Sequence, residues 1–183
     1  MRIPAVALLI IMMVALSFSA CTTASPGQYF GIAVLNVNMI HGFAGSGMQR
    51  ELASPSVKMT GNDPNKTVPM KRQEIVDQKV DYLEENLKKL NRLKETDDTR
   101  EMLNAAKALY NYVLPVYKTE YTQLAKFYDG GAAAPQIDSL ERSIGERHYD
   151  NYSRLFDNLT STGKAFAQKH NISVQWDVQT SPH

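Results

Sequence analysis

His148 is the histidine whose position is best suited to chemistry, because it lies within an apolar stripe of a predicted helix. Ile144 precedes it by four residues and Tyr152 follows it by four, so a helix carries all three on one face. An imidazole in such a place could ligate a metal or haem, or act as a buried acid or base. The alternative, which we prefer, is a structural histidine bonded to a neighbouring tyrosine, glutamate or backbone carbonyl.

A row of tyrosines on another predicted helix is the second candidate site. Tyr110, Tyr117 and Tyr121 recur at helical spacing, and Tyr152 could meet them from a later helix. A tyrosine face can stack on sugars or anchor a protein interface. The alternative, again preferred, is a packed seam between helices whose hydroxyls reach its rim.

The sequence lacks the motifs that would assign a reaction. Glutamate stands three residues before none of the four histidines, so the Glu-x-x-His motif of di-iron bundles is absent. The glycine-rich run at 42–47 has the spacing of a phosphate-binding loop, but Met48 and Gln49 occupy the positions that need Lys and Ser or Thr. We therefore predict no metal, no cofactor and no enzymatic activity.

Three segments have the periodicity of long amphipathic helices. In residues 69–93 the apolar positions step by four and three, a heptad pattern typical of bundles, with Pro69 in the first turn; these positions are Val76, Val80, Leu83, Leu87 and Leu90. The second helix follows Asp98 as a cap, ends at the glycines after Asp129, and should bend at Pro115. The third runs from near Asp138 to about His170, with Asn171 as its left-handed stop.

The remaining segments are less regular. Residues 28–53 fit a helix or a strand, and we choose a helix because three amphipathic helices need a fourth apolar face to close their core. Residues 54–68 are predicted to form a loop. The alternation from Ile172 to Val178 predicts an extended tail over 172–183 that packs one face on the bundle. The expected fold is all-α, an elongated antiparallel four-helix bundle spanning residues 28–171.

The N-terminus has the features of a secretory signal. Arg2 precedes an apolar run from Ala5 to Phe18, which at about 14 residues is shorter than the roughly 20 that span a bilayer. Small residues follow, up to the single cysteine of the chain, Cys21. A basic start, a short apolar core and small residues at the end predict a cleaved signal peptide.

The sequence Ser17-Phe18-Ser19-Ala20-Cys21 resembles the lipobox of bacterial lipoprotein precursors, although Phe18 stands where an aliphatic residue is commoner. The resemblance covers residues 1–21. It implies cleavage between Ala20 and Cys21 and a diacylglycerol on the Cys21 thiol. Residues 1–20 would then be the signal peptide and 21–27 a flexible tether. Thr22 in place of aspartate implies the outer membrane if the host is Gram-negative.

The net charge of the predicted mature chain is consistent with membrane attachment by a lipid rather than by a basic surface. Removal of residues 1–20 takes away one of the 20 Lys and Arg residues and none of the 19 Asp and Glu residues, so the mature chain is neutral. A neutral domain has no electrostatic footprint for nucleic acid. We expect an envelope lipoprotein that binds a protein or glycan partner or acts as a spacer. The alternative is a module that binds a metal, haem or small envelope ligand in its core.

Overall fold

The structure is a computed structural model that describes residues 24–61 and 63–175. Cys21 and the predicted signal peptide lie outside these ranges, as does the predicted tail beyond Gln175. The described chain is mostly helical, as expected. Its helices are α1 (Pro26–Ala33), a 3-10 helix (Leu35–Ile40), α2 (Ser46–Ala53), α3 (Arg72–Arg92), α4 (Arg100–Val116), α5 (Thr122–Asp129) and α6 (Ala134–Lys169).

Three long helical rods run antiparallel to their neighbours in sequence. A π-helical turn, Tyr117–Tyr121, joins α4 to α5 in one rod. The start of α3 meets the end of α5, where the Arg72 backbone N–H donates to the Asp129 carboxylate at 3.0 Å. The start of the α4 rod meets the end of α6 through Asp98 and His170. At about 1.5 Å per residue, α6 is roughly 54 Å long.

The first segment, predicted as one helix over residues 28–53, is helical, but it consists of α1, the 3-10 helix and α2 rather than one helix. It runs along α3 in the opposite direction. The Tyr29 hydroxyl donates to the Lys94 carbonyl beyond one end of α3 at 2.8 Å. At the other end Arg72 Nε donates to the Leu52 carbonyl at 3.1 Å. The three pieces together therefore cover α3 from end to end.

The break between the 3-10 helix and α2 follows from close backbone packing. Gly42 has φ +87°, a region that favours glycine. A Cβ on Gly42 would lie 2.8 Å from the Gly47 Cα, a distance that real side chains do not reach. The chain therefore turns sharply here, and the turn places the Phe43 side chain in the interior, where it is 1% exposed.

The heptad face of α3 is largely the predicted one. Of the five apolar positions, Val76, Leu83 and Leu90 are buried, whereas Val80 and Leu87 are half-buried. Two polar residues, Lys79 and Asn86, are buried beside them. Asn86 accepts a hydrogen bond from the Asn36 side chain at 2.6 Å. Lys79 Nζ lies 3.0 Å from the Glu51 carboxylate, so both buried groups have partners.

Residues 54–68 were predicted to form a loop, and that prediction is wrong. They form an antiparallel hairpin of β1 (Val57–Thr60) and β2 (Asp63–Pro69), with Val57 opposite Pro69. Pro69 therefore ends a strand and is not in the first turn of a helix. The capping position of α3 is Lys71, whose N–H donates to the Glu74 carboxylate at 3.0 Å.

Several predicted helix ends are also corrected. Thr99, not Asp98, is the residue before α4, and Asp98 instead accepts from His170. Helix α6 begins at Ala134, with Pro135 in its first turn, rather than near Asp138. The predicted tether of residues 21–27 overlaps α1, because Ser25 caps that helix and its hydroxyl accepts from the Gln28 N–H at 3.3 Å.

Other predicted ends are confirmed. Gly131 with φ +68° follows α5, and Asn171 with φ +54° follows α6. From Ile172 to Gln175 the chain has no regular secondary structure. Ile172 and Val174 are partly buried against the core, and Ser173 and Gln175 between and after them are exposed. The described part of the tail therefore packs one face on the helices, as the alternation predicted.

Candidate functional site

His148 lies in a chain of four polar side chains on neighbouring helices. From α6 its Nδ1 is 2.9 Å from the hydroxyl of Tyr112 on α4, and its Nε2 is 2.8 Å from Glu120 Oε1 in the π-helical turn. The other oxygen of Glu120 accepts from Arg147 Nη2 at 2.6 Å. The side chains of His148 and Glu120 are only 15% and 19% exposed, so this pair is largely shielded from solvent, whereas the Arg147 side chain is 53% exposed.

The partners fix the tautomer of the imidazole. An ionised Glu120 can only accept hydrogen bonds, so Nε2 of His148 carries the proton. In the neutral ring Nδ1 is then the acceptor, and the Tyr112 hydroxyl donates to it. Both ring nitrogens are thus occupied by protein groups of the kinds that the sequence favoured, a tyrosine and a glutamate. A metal could bind His148 only by displacing one of them.

Among the described residues, no three His, Cys, Asp or Glu side chains form a group that could hold a metal ion.

The π-helical turn explains how Glu120 reaches this network. Pro115 has no N–H to donate within its helix, and the turn begins two residues after it. One residue extra per turn changes the phase of the side chains that follow. Tyr117 and Tyr121, at the two ends of the turn, stack with ring centroids 4.8 Å apart. The proline was visible in the sequence and was expected to bend the helix, but the π turn was not foreseen.

An aromatic cluster lies next to the polar network, with Phe43 at its centre. The Phe43 ring centroid is 5.1 Å from that of Tyr152, 5.5 Å from Tyr117 and 5.7 Å from Tyr121. His148 and Tyr112 complete the ring of neighbours at 6.3 and 6.4 Å. Phe43 thus occupies the interior next to His148, the place where a core ligand would have to bind.

The predicted tyrosine row is a packed seam rather than an exposed face. Tyr110, Tyr117, Tyr121 and Tyr152 are all buried, so an interface or sugar platform built on them is not what the structure shows. Two of the hydroxyls bond the first segment: Tyr121 accepts from the Ala44 N–H at 2.8 Å, and Tyr152 donates to the Ile40 carbonyl at 3.0 Å.

Burial changes the acidity of these hydroxyls. Removal from water disfavours the phenolate and raises the pKa of Tyr117, Tyr121 and Tyr152 well above the usual value. Burial, with a smaller contribution from the nearby Tyr82, raises the pKa of Tyr110 as well. Its hydroxyl is buried and has no hydrogen-bond partner among the described residues. None of these groups can act as a base at neutral pH.

The hairpin is the part of the surface that sequence reasoning missed. Three of the six large apolar side chains that stand exposed in the described chain belong to it: Val57 at 60%, Met59 at 68% and Val68 at 38%. The signal was present in the alternation of Val57 and Met59 with polar residues, but nearby prolines and the Gly61 turn favoured a loop.

A groove also opens between the 3-10 helix and α6. Its volume is about 490 Å³. Val37, Phe156 and Leu159 form its apolar wall, and Asn38 and Thr160 are among its polar lining residues. A small ligand would find space in this groove rather than in the aromatic core.

Within residues 24–61 and 63–175, no helix combines the length and the apolar character needed to cross a membrane. The chain matches no family model, and comparison with curated proteins and with solved structures finds no significant similarity.

Proposed function

We propose that this chain is a non-enzymatic lipoprotein of the bacterial cell envelope, tethered through Cys21, whose helical body holds a partner-binding surface away from the membrane. The support for the tether is the apolar run that ends in Ser19-Ala20-Cys21. The partner is an envelope protein or glycan, not a nucleic acid, since residues 21–183 carry no net charge. The absence of aspartate after Cys21 favours the outer membrane of a Gram-negative host.

The observation that carries the proposal is the position of the hairpin relative to the tether. The chain enters α1 beside Lys94, just past the end of α3. The hairpin joins the other end of α3, where β2 is followed by Arg72. Since α3 has 21 residues, the two points are about 30 Å apart. A chain anchored at Cys21 can therefore present its exposed apolar hairpin well away from its anchor.

The body would serve as a rigid support for this surface. We propose that α1, the 3-10 helix and α2 act together as the fourth member of an antiparallel four-helix bundle, with α3, the α4–α5 rod and α6 as the others. In support, the first segment forms hydrogen bonds near both ends of α3. The middle of the segment forms hydrogen bonds with tyrosines of the α4–α5 rod and of α6. Such a bundle is rigid because its core side chains interlock.

The test of the tether is lipid labelling of the full chain in a bacterium. The unaltered chain should incorporate radiolabelled palmitate and sediment with membranes. The Cys21→Ser variant should lose the label and leave the membrane fraction, while Thr23→Ser, two residues away, should change neither. Stable anchoring needs more than one acyl chain, which a lipidated cysteine provides. Equal labelling of Cys21→Ser and the unaltered chain would refute the proposal.

A further inference from the structure

The outer edge of β1 is an unpaired strand edge. The Met70 N–H donates to the Ser56 carbonyl at 2.8 Å, so the ladder has its hydrogen-bonded pairs at Ser56 and, two residues on, at Lys58. Val57 and Met59 therefore turn their backbone N–H and C=O groups away from β2. In the part of the chain that the structure describes, no backbone hydrogen bond from another element reaches that side of β1.

The outer edge of β2 is unsuited to pairing. Pro69 lies opposite Val57, where the backbone nitrogen of β2 faces outward, and proline has no N–H to offer a neighbouring strand. Proline on an edge is a device by which proteins prevent pairing with another chain. The hairpin thus blocks one edge and leaves the other open.

The two faces of the hairpin differ in charge. Val57 and Met59 share one face with their cross-strand partners Pro69 and Thr67, and that face carries no charge. Lys58 lies on the other face opposite Val68 and forms an ion pair with Glu74 of α3. The charged face is therefore the one joined to the helical body, and the uncharged face is free.

The hairpin is also basic. Its residues 57–69 contain two lysines, Lys58 and Lys66, and one acidic residue, Asp63. A strand added along β1 would place alternate side chains beside Val57 and Met59 on the uncharged face, and the side chain between them beside Lys58. Complementarity then requires apolar residues at the alternate positions, and the net positive charge of residues 57–69 favours an acidic residue between them.

Other occupants fit less well. Two copies of the chain that paired β1 with β1 about Lys58 would place like charges directly opposite each other, which is destabilising. A lipid interior offers no partner for the open backbone edge, and unpaired backbone groups there cost several kcal/mol each. A two-stranded hairpin is at best marginally stable alone, and a third strand supplies both hydrogen bonds and apolar cover.

We infer that β1 is the docking edge for an extended segment of a partner protein, which adds as a third strand and alternates apolar with acidic residues. The inference rests on the proposed function in that it names the partner-binding surface of the tethered body. Strand addition of this kind draws affinity from main-chain hydrogen bonds and specificity from alternate side chains.

The test is photocrosslinking in the cells that produce the full chain, with benzoylphenylalanine in place of Met59. The crosslinked peptide is identified by mass spectrometry. We expect a segment of another protein with alternating apolar and acidic residues. Val57→Pro removes an outward N–H from β1 and should lower the crosslink yield at least tenfold. Thr67→Pro removes an outward N–H from β2 and should leave the yield unchanged.

A charge variant tests the same edge without proline. Lys58→Glu should lower the yield about tenfold, whereas Lys94→Glu, at the far end of α3, should not change it. Crosslinks to lipid, to a second copy of the chain or to a segment without the alternation would overturn the inference, as would a complete lack of crosslinks or equal yields in all variants. Palmitate labelling is scored separately, so loss of the tether and loss of strand docking are distinguishable.

Discussion

The Tyr121 hydroxyl accepts a hydrogen bond from the Ala44 backbone N–H at 2.8 Å, across 77 positions of the chain. Ala44 lies in the sharp turn after Gly42, where no helix supplies a partner for its buried N–H. On the other side of Phe43, the Tyr152 hydroxyl donates to the Ile40 carbonyl. The tyrosine seam therefore has a structural role, because its rings enclose Phe43 and its hydroxyls satisfy the backbone of the turn that carries Phe43.

Substitution of Tyr121 and Tyr110 by phenylalanine separates hydrogen bonding from packing. Tyr121→Phe leaves the Ala44 N–H buried and unpaired, which costs about 1–3 kcal/mol. Tyr110→Phe removes a buried hydroxyl that has no partner among the described residues, so stability should stay the same or rise by up to about 1 kcal/mol. Urea unfolding of a chain that begins at Ala24 measures both. Equal losses in the two variants would contradict this assignment of the hydroxyl roles.

The sequence predicted the elements whose causes are local. The heptad of α3 and the stops at Gly131 and Asn171 depend on residues within one or two turns of each other. The division of the first segment could not be predicted, because it depends on the approach of Gly42 to Gly47 and on the docking of Phe43 among rings from other helices. The hairpin was missed because its prolines and Gly61 favour a loop.

The candidate site was predicted by residue type but not by position. A tyrosine and a glutamate were expected as partners of His148, and Tyr112 and Glu120 are those residues. Neither was singled out in advance. Tyr112 lies off the main apolar stripe of its helix, and the direction of Glu120 depends on the π turn after Pro115, which has no reliable local signal.

Substitution of His148 tests whether its role is structural. His148→Gln should lower the free energy of unfolding by about 1–3 kcal/mol, because Tyr112 and Glu120 lose a partly buried partner. Glu146→Gln, at an exposed position of the same helix, should have little effect. The purified protein should contain no stoichiometric metal or haem. One equivalent of transition metal per chain, lost in His148→Gln, would instead establish a ligand role.

Two leucines of α3 test which face of the heptad is the core. Leu83 is 1% exposed, and Leu83→Ala should cost about 2–5 kcal/mol. Leu87 is only partly buried against the core, so Leu87→Ala should cost less than half as much, since a cavity at the rim fills with water. Thermal and urea unfolding of the two variants provide the comparison. A larger loss of stability for Leu87→Ala than for Leu83→Ala would show that the Leu87 side of α3, not the Leu83 side, faces the core.

Alkaline pH should destabilise the folded protein, because its buried tyrosine hydroxyls ionise more readily in the unfolded chain. Burial raises the pKa of Tyr117, Tyr121 and Tyr152 well above the usual value. Burial and the hydrogen bond to Glu141 raise the pKa of Tyr128 to about 12. In the unfolded chain the same hydroxyls ionise near pH 10. Between these values the unfolded state binds fewer protons than the folded state, so stability falls as pH rises.

The expected profile is a stability that changes little from pH 7 to about 9 and declines above about pH 10. Phenolate absorbance at 295 nm should show that these tyrosines ionise together with the loss of helical circular dichroism. Tyr152→Phe removes one of the shifted groups, so its stability should decline less steeply above pH 10 than that of the unaltered chain. Titration of all nine tyrosines near pH 10 with the helical signal intact would show that the seam is open to solvent.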